Sequence, residues 1–137
     1  MINGMFSSSS IPVLEQWVNF AQSRHNVLAS NVANIDVPGY QTRDLSVEQF
    51  QSNLRDALSA RDDARIDSLS AGGGRPDVDA VQKMGKNLSG ILYHDQSNVG
   101  LEQQVAAITK NHMEHNLALT ILNSQFRMLT TAISERA

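Results

Sequence analysis

Leu14, Val18, Ala21, His25, Leu28, Val32 and Ile35 follow one another in alternating steps of four and three. That rhythm brings them onto one helical stripe, a heptad seam, and only His25 among them is not apolar. Trp17 and Ala29 widen the stripe. The pattern predicts a helix over 13–34, with Pro12 where a first turn tolerates it and Ser10 as its candidate cap. A longer seam runs near the other end through Leu101, Val105, Ile108, His112, His115, Leu119, Leu122, Phe126, Leu129 and Ile133. It predicts a helix over 99–134, about 50 Å long at the usual rise, with Asn98 as its cap. Ala118, Ile121 and Met128 add a second apolar edge to it.

The first helix has a definite end. Val37 precedes a proline, which pushes it out of the α region. Pro38 and Gly39 suit the central positions of a type II turn. Beyond the turn, Val47, Phe50, Leu54, Ala57 and Leu58 share one face of a second, shorter helix over 44–60, and Ser46 and Gln49 have capping-box spacing. Arg61-Asp62-Asp63 and the Gly-rich stretch 71–76 read as a solvated connection. Segment 77–84 fits a short helix, and 88–93 a strand or a packed loop.

At 137 residues the chain is read as one unit. It comprises a polar lead (1–10), an N-terminal helix and turn (11–40), a middle segment (41–97) and a C-terminal helix (98–137). The expected fold is all-α and elongated, with the two heptad-patterned helices paired as an antiparallel coiled coil and the loop-rich middle folded outside. One such pairing buries one stripe per helix. The C-terminal stripe is longer and wider than that, and exposed apolar area of this kind marks a partner surface.

Composition narrows the function classes. A net charge of -3 with scattered basic residues lacks the basic face that nucleic acid requires. There is no cysteine, which excludes thiol chemistry and fits either the cytosol or a chain exported unfolded. The lead has no basic start or long apolar run, so it does not read as a secretory signal peptide. No segment approaches the ~20 apolar residues of a membrane helix. On the C-terminal helix Lys110, Arg127 and Arg136 are balanced by Glu102, Glu114 and Glu135, which does not favour a membrane surface.

The candidate chemistry is thin. His112 and His115 stand three apart, a spacing at which two imidazoles can share a metal, but no third ligand is evident. The simpler reading makes His25, His112 and His115 polar members of the helix seams. If they meet at an interface, acidification is expected to loosen it. Asp62, Asp63 and Asp67 have no apolar surroundings and read as a solvated face. No serine sits in a nucleophile elbow, and the glycines of 71–76 form no P-loop. The sequence therefore carries no catalytic, cofactor-binding or metal site and implies no small-molecule substrate.

The stretch LASNVANIDVPGYQTRD, residues 28–44, resembles the Asn-x-x-Asn-x-x-x-Pro-Gly-Tyr signature of flagellar axial proteins, through Asn31, Asn34, Pro38, Gly39 and Tyr40. The helix of 98–133 and the phrase QTRDLSVEQF, residues 41–50, are similar to the proximal rod proteins of the FlgB family; residues 51–97 match poorly. The resemblance implies a non-enzymatic structural subunit. It implies export through the flagellar type III gate without a cleaved signal peptide, and assembly by helix packing into the proximal rod that carries torque through the periplasm. The implied partners are copies of itself, other rod proteins, the basal-body adaptor subunit and the export gate. Asn31, Asn34, Pro38, Gly39 and Tyr40 are then the turn and assembly motif. Leu14, Val18, Leu28 and Val32 are expected to face Leu119, Leu122, Phe126 and Leu129 or a neighbouring subunit, with Leu101, Val105, Ile108 and Ile133 completing the seam. The motif's asparagines are expected to satisfy backbone groups freed at the helix end. A cytosolic coiled-coil adaptor or chaperone-like binding module accounts for the seams equally well, but not for the Pro-Gly-Tyr turn.

Overall fold

The computed structural model describes residues 10–70, 92–94 and 100–134. In chain order they form α1 (Ile11–Ala33), β1 (Arg43–Leu45), α2 (Val47–Ser70), β2 (Leu92–His94) and α3 (Leu101–Ser134). The all-α expectation holds, apart from a two-stranded antiparallel ladder that pairs Arg43 with His94 and Leu45 with Leu92. Segment 77–84 and the cap Asn98 lie outside the described residues, as do 88–91 of the strand-or-loop stretch.

α1 begins at Ile11, with Pro12 in its first turn as expected. Ser10 departs from its expected role. Its side chain makes no cap hydrogen bond, and its backbone is already helical, so only its carbonyl serves the helix, accepting from Leu14 N at 3.1 Å. At the other end Asn34 closes the helix. Val37–Tyr40 then make the expected type II turn: Gly39 has φ +78°, and Tyr40 N donates to Val37 O at 3.1 Å. Glycine alone adopts that φ at little cost.

The second helix differs from the 44–60 reading at both ends. Arg43–Leu45 is extended, and α2 starts at Val47, with Ser46 Oγ accepting from Gln49 N at 3.2 Å as a cap. α2 then continues through Arg61-Asp62-Asp63 to Ser70. Nothing in those residues breaks a helix; they are polar, and Ile66 is 61% exposed, so the helix outruns its own apolar face.

α1 is packed on two sides. One side meets β1 and the first half of α2 in an aromatic core. Phe20, Leu45, Phe50 and Leu54 are buried there, ringed by Val13, Trp17, Val27, Val47, Ala57 and Leu58. The rings of Phe20 and Phe50 stack with centroids 4.1 Å apart, and Trp17 meets Phe50 edge-on at 5.6 Å. Such pairs contribute about 0.5–1.5 kcal/mol beyond their buried area. The other side of α1 packs along α3. The helices are antiparallel: Asn31 bonds to Gln104, and Ala21, earlier in α1, bonds to Asn111, later in α3.

Candidate functional site

Among the described residues, several long-range polar contacts gather where α1 ends. Asn31 is fully buried, with 0% exposure, and every hydrogen-bonding position of its amide is used. Its Oδ1 accepts from Tyr40 Oη at 3.1 Å and from Arg43 N at 3.1 Å. Its Nδ2 donates to Arg43 O at 2.6 Å and to Gln104 Oε1 at 3.2 Å. One side chain thus presents Arg43 with the donor and acceptor that a neighbouring strand would supply. The same side chain holds the turn through Tyr40 and α3 through Gln104.

The two asparagines of the motif divide their work. Asn34 behaves as expected of a helix end, donating from Nδ2 to Ser30 O at 2.7 Å. Asn31 does not; its amide serves the strand, the turn and the distant helix. Pro38 and Gly39 are exposed on the turn, and Tyr40 is half-buried because its hydroxyl reaches back to Asn31.

A pair that sequence reasoning missed braces the same corner. Arg24 grips Asp44 in a two-pronged ion pair, Nε to Oδ1 at 2.8 Å and Nη2 to Oδ2 at 2.7 Å. Asp44 Oδ1 also accepts from Leu45 N at 2.7 Å. Arg24 lies on α1 twenty residues from Asp44, and no local spacing advertises such a contact. Arginine's planar fork suits this geometry, and partial burial protects it from solvent.

The helix seams are placed unequally. On α1, Leu28 is buried and Leu14, Val18 and Val32 are half-buried. On α3 the fully buried positions are not members of the apolar seam read from the sequence. They are Gln104, Asn111 and Ala118, at heptad spacing. Ile108, His115, Leu122, Gln125 and Leu129 beside them are half-buried, as is Leu119. Leu101, Val105, Phe126 and Ile133 are exposed, at 50%, 50%, 41% and 64%. Met113, Leu117, Ile121 and Met128 are also exposed. Gln104 and Asn111 are the residues that apolar periodicity passed over; their signal was their seven-residue spacing.

His25, His112 and His115 do converge, lining one groove between α1 and α3 together with Ala21, Gln22, Asn111 and Asn116. Among the described residues no three His, Cys, Asp or Glu side chains cluster as a metal site would. No described helix is long and apolar enough to cross a membrane. The groups at the Asn31 corner are amides, a phenol and an ion pair; their arrangement positions three elements and offers no nucleophile beside a base.

Comparison with known proteins points the same way as the geometry. Residues 19–41, from the middle of α1 through the turn to Gln41, match the family model described as flagella basal body rod protein. Among curated relatives, the flagellar basal body rod protein FlgB of Aquifex aeolicus is 25% identical over 127 residues, covering 93% of this chain and 94% of that one. FlgB of Salmonella typhimurium is 26% identical over 125 residues, 82% and 84% of the two chains. FlgB of Bacillus subtilis is 23% identical over 128 residues, 93% and 95% of the two chains.

Proposed function

We infer, for a chain that belongs to the flagellar basal body rod protein family, that it is a structural subunit of the proximal rod. It works by presenting helix surfaces rather than by chemistry. The observation that carries this reading is the exposed apolar side chains of α3, among them Leu101, Val105, Phe126 and Ile133 along a helix of 34 residues. Exposed large apolar side chains recurring along one helix are costly to leave in water and are suited to burial against neighbouring helices. On this reading the neighbours are copies of the chain and other rod proteins, with the basal-body adaptor subunit and export gate at the cell-proximal end. The subunit leaves the cytoplasm through the type III gate and packs into a periplasmic rod that carries torque.

The test is mass spectrometry of detergent-washed hook–basal-body particles beside a whole-cell fraction. The expected result is co-purification at a few copies per particle. A chain that stays in the cytosol while the rod is intact would instead belong to an adaptor.

A further inference from the structure

Two of the three fully buried positions that α3 contributes are polar amides. At successive heptads α3 offers Gln104, Asn111 and Ala118 to α1, while larger apolar side chains of the same helix face outward. Gln104 and Asn111 are each almost wholly buried. Gln104 Oε1 accepts from Asn31 Nδ2, and Asn111 Nδ2 donates to Ala21 O at 2.7 Å. The second contact is incomplete, because Asn111 Oδ1 is buried with no hydrogen-bond partner. An unpaired buried acceptor destabilises by about 1–3 kcal/mol. A seam selected for stability would carry leucine at both positions.

We propose that Gln104 and Asn111 are register-setting residues: they fix α3 to one axial position on α1 at some expense of stability. Apolar contacts between two heptad-patterned helices tolerate sliding by whole heptads, because each step presents a similar stripe. Here Ile108, Leu122 and Leu129 recur at such steps along the same side of α3. The two amides do not tolerate it. A slip of one heptad carries each about 10 Å along the axis. It brings at most one amide into the place the other has left, Asn111 opposite Asn31 or Gln104 opposite Ala21, so at least one of the two contacts is lost. The Asn31 end is itself immobilised, since the same amide is bonded to Arg43 and Tyr40. The outward apolar face thereby acquires a fixed height relative to the turn at residues 37–40. This inference concerns the hairpin alone and stands whatever partner covers that face.

The test reads register directly. The chain has no cysteine, so residues introduced for spin labels at exposed Asn19 and Lys110 are the sole attachment points. Labelled full-length chain is diluted into unlabelled chain, and the distance between labels is measured by pulsed electron resonance. The native seam is expected to give one dominant distance. The double variant Gln104→Leu, Asn111→Leu leaves Asn31 bonded to Arg43 and Tyr40. It is expected to keep or gain helicity by circular dichroism while adding populations displaced by about 10 Å. A double variant with one unchanged distance overturns the proposal. So does a double variant that loses its helicity, since the amides would then be supplying stability rather than register. A native chain without one dominant distance overturns it as well.

Discussion

α1 has two faces that are built on opposite principles. Toward α2 and β1 it buries Phe20 against Phe50 and Leu54, a small core of stacked rings and aliphatic neighbours. Toward α3 it meets Gln104 and Asn111, and its own contributions include the Asn31 amide and the Ala21 carbonyl. The first face gains from the quantity of apolar surface removed from water, which is indifferent to small shifts. The second gains from direction and distance, which are not. A molecule that wanted only stability would make both faces like the first. The difference places the aromatic burial on one side of α1 and the directional contacts on the other.

Removing the aromatic anchor is the most severe way to break that contrast. Phe20→Ala is expected to destabilise by about 3–5 kcal/mol, as for large core truncations, and to release α2; thermal unfolding followed by circular dichroism checks it. Asn31→Ala comes next. It strands the backbone N–H and C=O of Arg43 together with Gln104, at about 1–3 kcal/mol for each buried group left unpaired, read by denaturant unfolding. Hydrogen exchange at Arg43 should accelerate in that variant, and an unchanged rate would show that the amide is not its partner. Gly39→Val probes the link between the faces. A Cβ there meets nothing within 4 Å, so the cost is backbone strain at φ +78° alone, about 1–2 kcal/mol. Ser46→Ala removes the α2 cap for about 1 kcal/mol and should leave the α3 side untouched. Smallest for the isolated chain is Phe126→Asp, within about 0.5 kcal/mol because the ring is already exposed. That same variant is expected to abolish motility when it replaces the native protein, and normal swimming would remove the outward face from the account of assembly. Leu122→Asp is the less clean choice, since Leu122 is half-buried within the subunit and its loss mixes folding with assembly.

What the chain revealed in advance follows from the range of each signal. α1, α3 and the apolar face of α2 were legible because helical periodicity is written locally and repeatedly. The Val37–Tyr40 turn was legible because proline and glycine restrict the backbone at the residue itself. The Arg24–Asp44 pair and the four bonds of Asn31 were not legible, since they join residues remote in sequence and depend on how α1 meets β1 and α3. The extension of α2 to Ser70 was hidden because its last turns carry no apolar pattern to read. The inner side of α3 was legible only in part. Of the stripe marked by apolar repeats, Ile108, Leu119, Leu122 and Leu129 are half-buried while Leu101, Val105, Phe126 and Ile133 are exposed, and the polar Gln104 and Asn111 carry no apolar signal. The motif residues were legible as a group of positions, but only the structure separates Asn34, which closes a helix, from Asn31, which joins three elements.

α3 has a mechanical character that its contacts alone do not convey. Across Leu101–Ser134 there is neither proline nor glycine, the usual origins of a sharp kink. Thr109, Thr120, Thr130 and Thr131 each return a hydroxyl to the carbonyl four residues back, which favours slight curvature over a break. The helix is therefore a continuous beam about 50 Å long. It flexes smoothly under load, and its deflection spreads over many turns instead of collecting at a hinge.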